Sequence, residues 1–415
     1  MVQSNRTVRP PAWAMLLCAL ASGRPAFANE VTFAQARAAA QRVAPDVVIA
    51  EHRSSVANTE VEVVGALANP TFTVSAARES AWLSTGVSVP LSLFGQRATA
   101  MRAADADARA VALEVEVSRS EAIWAATVAW FDLENAQERA RLLALAAQDS
   151  DRLFHIASEK FEAGTGARLD VVRTQADRLR ELADAHAAQL AVKAAQARLA
   201  PWIDSALDVE LLAVGEPDYL LELVPMETIE KEISAHPALR RDRAQIQAAA
   251  AHVASEQRAR WPLISPEVTV SQGDPALAGT DVTAGLSFEL PLLSLHGGAI
   301  AKADEQRNLA EAENDGDQRR LHAELVDAYR RTEGASAMLR TLRTDVLPAM
   351  EEAKAMTEEG YKSGRIDLIR VMEAQRALLD SRISATEAFG AWGHAAADLE
   401  KASGVDLTRG ANHAP

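Results

Sequence analysis

Thiols are all but missing, since Cys18 is the one cysteine in 415 residues. It falls inside the apolar run AWAMLLCALA, which Arg6 and Arg9 precede and AFA closes at Ala28, the layout of a secretory signal peptide over residues 1–28. The mature chain is expected to begin near Asn29 with no thiol at all. That excludes a disulfide framework and thiolate metal sites, although an exported location would permit disulfides. Leu17, just before the cysteine, is bulky where a lipoprotein signal wants a small residue, so lipidation is not expected. Long hydrophobic runs are missing too: nothing after the signal approaches ~20 consecutive apolar residues, so no transmembrane helix is expected.

Aromatic residues make up only 5% of the chain and glycine is sparse, at 20 residues, whereas alanine is abundant. This balance disfavours a sandwich or barrel of many short strands and favours closely approaching helices. The nine histidines (52, 155, 186, 236, 252, 296, 322, 394 and 413) never fall three or four apart, so no helix presents a paired imidazole site. HGG at His296 has no nucleophile elbow to accompany it, and GTG at Gly164 lacks the third glycine and preceding strand of a dinucleotide fingerprint. These absences point away from an enzyme, a metal centre or a cofactor. The formal charge of −15 becomes −18 when Arg6, Arg9 and Arg24 leave with the signal. Such acidity argues against nucleic acid as a partner; a cation-attracting surface and ordinary solubilising charge are both compatible with it.

What is present is helical periodicity of unusual length. Residues 96–161 contain no proline, and Leu113, Val117, Trp124, Val128, Phe131, Leu142 and Leu145 recur at helical spacing. At roughly 1.5 Å per residue that segment spans on the order of 100 Å. A second long helix is expected over 298–361. There Leu321, Leu325, Ala328, Thr332, Ala335, Leu339, Leu342 and Val346 form a coiled-coil seam. Pro348 should kink that helix or mark a junction near its far end. Each long helix ends in a similar break, FEAGTGARLDV at 161–171 and YKSGRIDLIRV at 361–371, and helical pattern then resumes over 171–199 and 368–402. The breaks read as hairpin tips, with Gly164 and Gly364 in the left-handed conformation and Asp170 and Asp367 suited to starting the next helix.

Alternating segments precede each long helix. Phe72, Val74 and Ala76, then Val87, Val89, Leu91 and Leu93, share strand faces; so do Val268 and Val270, then Val282, Ala284, Leu286, Phe288 and Leu290. The later strand of each pair is about ten residues, enough to cross a bilayer when tilted, yet soluble hairpins packed on helices would alternate in the same way. Upstream, APDVVIAEHR from Ala44 and HPALRRDRAQ from His236 both open helices. The chain thus reads as two copies of one unit, 29–220 and 221–415, each with a helix, a β-hairpin (70–93 and 266–292), a long helix, a tip (162–170 and 362–367) and a return helix. Pro201 to Glu227 is the natural connector, and β content is expected in four strands only.

In order and spacing, NPTFTVSAA, VPLSLFGQR, LPLLSLHGG, the two tip motifs and the terminal AAADLEKASG resemble the TolC family of outer-membrane efflux proteins over essentially the whole mature sequence. The length and the missing lipid cysteine look more like the CzcC-like heavy-metal branch of resistance-nodulation-division systems. The resemblance implies a mainly α fold whose coiled-coil helices form an α-barrel. It also implies a homotrimer in which two hairpins per protomer contribute to a 12-stranded transmembrane β-barrel in outer-membrane lipid. Such a protein is a passive exit duct of a tripartite system, with a periplasmic adaptor (membrane fusion protein) at its tips and an inner-membrane pump supplying the energy. Carried over by position, Gly164, Thr165, Gly364 and Arg365 fall at adaptor-docking tips, and Asp170, Tyr361, Arg370 and Glu373 at the periplasmic gate. Two positions depart from the family pattern: Arg370 stands where an aspartate is usual and Ile366 where an arginine is. Arg370 is therefore expected to pair with Glu373 or Asp170, or to alter the ion preference of the constriction. A periplasmic adaptor would carry one hairpin flanked by lipoyl-like halves, and a non-transport coiled-coil scaffold would make the strand pairs incidental.

Overall fold

The computed structural model describes residues 29–77, 81–205, 210–217, 224–273, 279–290 and 295–408. The segment read as a signal peptide, with Cys18, lies outside them, as does 291–294 of the second strand-to-helix corner. The elements in order are β1 (Asn29–Thr32), α1 (Phe33–Val43), α2 (Pro45–Gly65), β2 (Thr71–Ser75), β3 (Leu83–Ser88), α3 (Gln96–Glu162) and α4 (Arg168–Leu199). The second half continues with β4 (Leu211–Val214), α5 (Met226–Glu232), α6 (Pro237–Ala259), β5 (Leu263–Gln272), β6 (Thr280–Glu289), α7 (Gly297–Thr341), α8 (Leu347–Lys362) and α9 (Leu368–Ser403).

Helix starts follow from local chemistry. Thr32 caps α1 in a reciprocal box with Gln35. α2 and α6 both open with proline at their first position, where the missing N–H costs nothing and φ is preset. α3 is 67 residues long because nothing interrupts it. Phe131 and Leu142 of the expected apolar set are buried, but the buried positions are mostly alanine (103, 104, 108, 110, 122, 126, 129, 147, 157), and Leu145 is 42% exposed. Small side chains let α2, α4 and α6 lie close along one rod. The seam of the second long helix is the buried face, with Leu325, Ala328, Thr332 and Leu339 at 2% exposure or less.

Near Pro348 the backbone ladder widens into a π turn, Leu342–Val346, which separates α7 from α8. Proline at 348 removes an N–H and its ring crowds the carbonyl one turn back, and a π turn absorbs both. The junction is thus a change of hydrogen-bond pattern, with no break in the rod.

The core sits at mid-height. Phe33, Trp130, Phe131, Phe389 and Trp392 meet at centroid distances of 5.4–6.2 Å, mostly edge to face. α9 approaches through Gly390 and Gly393, whose missing Cβ atoms leave room for Asn135 and Phe131. Beside this cluster Arg37, 9% exposed, forks onto Glu400 at 2.5 and 2.7 Å and ties α1 to α9. Burial, with Glu138 nearby, pushes the Glu134 carboxyl up to about 7, and Arg343 of the π turn offsets part of that.

Six strands are described, not four. β1 and β4 form a parallel pair, so the connector carries a strand, and Trp130 Nε1 donates to Val31 O at 2.9 Å beneath it. With four residues each, these strands have no alternation long enough to read; their pairing is a tertiary event. The two hairpins join in one four-stranded antiparallel sheet, in the order β2-β3-β5-β6. β5 starts at Leu263, upstream of the expected 266, with Pro266 inside it, and β6 has ten residues as expected. β3 is only six residues long because Pro90 has no N–H to donate, although pairing resumes at Leu91 with Ile264.

Helix packing has the same linear order as the sheet. Above mid-height α2 packs on α3, α3 on α6 and α6 on α7; below it α4 packs on α3, α3 on α9, and α9 on α7 and α8. The protomer is therefore a wall. β2, α2 and α4 run down one edge and β6, α7 and α8 down the other.

Candidate functional site: the helical tips and the two faces of the sheet

The two tips match bond for bond. Gly164 has φ 72° and Gly364 φ 73°, and each N–H reaches a carbonyl three residues back (Phe161 and Tyr361) at 3.0 Å. The next N–H, of Thr165 or Arg365, bonds Lys160 or Gly360 at 2.9 Å. Glycine supplies the left-handed residue that ends each helix without a Cβ clash. Under the turn, positions 160 and 166 face one another in the first tip, and 360 and 366 in the second. One member of each pair is a glycine. A Cβ on Gly166 would meet Lys160, and one on Gly360 would lie 2.4 Å from Ile366 Cδ1. Ile366 thus folds back onto its own hairpin, which accounts for an apolar residue at that position.

The helix starts differ between tips. α4 is capped by Ala167, with Asp170 in its first turn, so Asp170 is not the cap; Asp367 is the cap of α9 but makes no side-chain cap bond. Asp170 and Arg370 occupy the same third helical position. The aspartate is favourable at a helix N-terminus and the arginine is not. Arg370 pairs with Glu373 at 3.3 Å, with both side chains largely exposed, so the pair is worth at most ~1 kcal/mol. Among the described residues Asp170 makes no ion pair, with Arg370 or any other cation.

The link between the tips comes from a residue that sequence reasoning passed over. Lys160 of α3 donates to the Tyr361 hydroxyl of α8 at 2.7 Å and stands 4.4 Å from its ring centroid. The 200-residue offset of the repeats sets Lys160 against Gly360, so it did not point to the contact with Tyr361. Thr165 Oγ1 donates back to Lys160 O, and Arg365 Nε donates to Ser363 Oγ, so both of these side chains fold locally onto their turns. Above the tips, Leu142, Leu145, Leu153, Met372 and Leu378 line a cavity of about 270 Å³ between the two hairpins. Burial first, then Asp184 and Asp177, raises the Glu181 carboxyl at its wall, against Arg376 and Arg180.

Strand register divides the sheet into two faces. One carries the rows Phe72–Val87–Val268–Ala284 and Val74–Thr85–Val270–Val282, then Pro266–Leu286 and Ile264–Phe288. The opposite face carries Thr73–Gly86–Thr269–Thr283, Ser265–Ser287 and Ser88–Glu267–Gly285. Phe72, Val282 and Leu286 are each more than 60% exposed. An apolar face left open on a strand pair is expected where lipid, and no helix layer, covers it. No helix among the described residues is long and apolar enough to cross a membrane.

A strand wall with one apolar and one polar face, continued by coiled-coil rods to paired tips, defines the protomer of an outer-membrane duct. The sequence pattern of the family described as outer membrane efflux protein matches residues 36–203 and again 228–405, and the chain belongs to that family. It is an outer-membrane efflux channel of a Gram-negative bacterium, extending into the periplasm. Among curated proteins it is 26% identical over 334 residues to the cobalt-zinc-cadmium resistance protein CzcC of Cupriavidus metallidurans, covering 79% of this chain and 78% of that one. The fold is shared with the CmeC outer membrane channel of Campylobacter jejuni (TM-score 0.75, 14% identity, 99% of this chain and 94% of that one). It is shared also with the outer membrane protein VceC of Vibrio cholerae (TM-score 0.72, 16% identity, 90% and 96%).

Proposed function

We propose that three copies of this chain close edge to edge into a passive duct whose tips meet a periplasmic adaptor and, through it, an inner-membrane pump. In this reading 29–220 and 221–415 are its two repeats, and it catalyses no reaction of its own. The observation that carries the reading is the pair of open edges. Exposed large apolar residues concentrate there: Val56 and Val63 on α2, Leu179 and Leu190 on α4, Leu309 on α7 and Met356 on α8, each 57–70% exposed. α6, in the middle of the wall, has none. β2 and β6 present unpaired outer edges among the described residues, a liability unless another chain covers them. Protein extracted from outer membranes in mild detergent should image as a three-fold tube well over 100 Å long. A monomeric particle would overturn the reading.

Gly164, Thr165, Gly364 and Arg365 supply the adaptor-facing turns in this proposal. Tyr361, Arg370, Glu373 and Asp170 lie at the entrance, with Lys160–Tyr361 holding adjacent tips together. The cargo proposed is divalent metal cations, on the strength of the likeness to the cobalt-zinc-cadmium protein. One complementation series tests cargo and tips together. In cells lacking this chain, the wild type should restore tolerance to cobalt, zinc or cadmium salts. Lys160→Ala should restore it too and also admit a large antibiotic that intact outer membranes exclude, lowering its inhibitory concentration roughly fourfold or more, because the link between tips is gone. Unchanged antibiotic sensitivity in Lys160→Ala would remove the tip link from the gate.

A further inference from the structure

We propose that the polar face of the β2-β3-β5-β6 sheet makes the duct cation-selective, with Glu267 at mid-height as the residue that sets the selectivity. The inference rests on reading that sheet as one third of a lumen wall.

The register places Ser88, Glu267 and Gly285 in one row, and a Cβ on Gly86 would lie 3.5 Å from Glu267 Oε1. The neighbours are glycine and serine, so nothing tall stands beside the carboxylate. Thr269 Oγ1 donates to it at 3.3 Å, and no cation pairs with it among the described residues. Asp281 lies on the same face at the far end of β6 and Glu289 at the end nearest the helices. Every other polar side chain on this face of the four strands is a serine or threonine hydroxyl. The face therefore carries oxygen only, with no lysine, arginine, histidine or amide, in a chain with 43 lysines and arginines.

Three copies would set three Glu267 carboxylates around the bore, with further rings toward each mouth. Rings of carboxylates in a low-dielectric wall concentrate cations and repel chloride. An oxygen-only surface suits hydrated, hard cations. Within one protomer, no group of three histidine, cysteine or acidic side chains among the described residues could hold a metal ion. The tips cannot supply the same field, because Arg168, Arg365 and Arg370 stand there beside Asp170, Asp367 and Glu373. Of the two ends, the described strands are one-signed on this face and the tips are mixed.

The test is the reversal potential of single channels in planar bilayers under a potassium chloride gradient. The full-length protein is measured as the wild type and also with Lys160→Ala, so that a shut entrance does not mask the sheet. Potassium should be preferred over chloride. Glu267→Gln should lower that preference by about threefold or more, and Glu267→Lys should invert it. A conducting channel whose reversal potential is the same in Glu267→Gln as in the wild type would overturn the proposal while leaving the duct intact. Absence of conductance from Lys160→Ala as well as from the wild type would overturn the duct reading and the proposal together.

Discussion

Val268→Lys should nearly eliminate the assembled protein from the outer membrane, whereas Ser287→Lys should leave its amount close to that of the wild type. The two residues sit on neighbouring strands of one sheet but on opposite faces, since Val268 pairs with Val87 and Ala284, and Ser287 with Ser265. Val268 is half exposed in the isolated protomer, so a lysine there would cost little in water. Facing hydrocarbon, a lysine costs ~2–4 kcal/mol near the bilayer midplane, and a trimer incurs it three times. On the polar face the same ammonium would stand in a wet lumen. Quantifying trimer in the outer-membrane fraction decides the matter. Equal amounts of the two variants would mean that the apolar face is not turned to lipid.

Gly393→Ala should lower the thermal unfolding temperature of the purified channel by several degrees, and Gly393→Val should leave little folded protein to measure. A Cβ at 393 would lie 2.4 Å from Phe131 Cδ1 and Cε1. Phe131 is fully buried and held by Phe33, Trp130, Phe389 and Trp392, so it has nowhere to retreat. Overpacking of this kind typically costs ~1–3 kcal/mol for a single carbon, and a branched side chain adds more. Gly316 provides the contrast. It is also a helical glycine, in α7, but a Cβ there meets nothing within 4 Å. Gly316→Ala should therefore stabilise by ~0.5–1 kcal/mol, because alanine restricts the unfolded chain without a clash. Matching unfolding temperatures for Gly393→Ala and Gly316→Ala would show that the close approach of α9 to α3 does not support the fold.

The long rods were legible because their signals are local and periodic. Leu321, Leu325, Ala328, Thr332, Ala335 and Leu339 alternate steps of four and three, which places them on one stripe of any α-helix, and that stripe is the one turned to the core. The tips were legible for the same reason: Gly164 and Gly364 end helices with left-handed backbone that other residues resist. The two-faced strands were legible from period two, although alternation alone did not point to lipid over a helix layer for the apolar side.

What stayed hidden depends on pairs of segments far apart in the chain. β1 and β4 have four residues each and exist only because residue 29 meets residue 211. Alanine, not leucine, fills most of the buried positions of α3 because its value lies in how near a second helix can come, which no window along one helix reveals. The Lys160–Tyr361 link joins residues 201 positions apart, and neither residue type announces the other. The π turn could be anticipated as a disturbance near Pro348, but its form depends on the rod having to continue past the proline while packed on α9. The sequence by itself thus determined the rods, the breaks and the alternation, which follow from backbone geometry and side-chain period within a few turns. Only the tertiary structure decided the order of the wall, its two open edges and the face on which each carboxylate stands, because these are set by which distant segments can approach without steric clash.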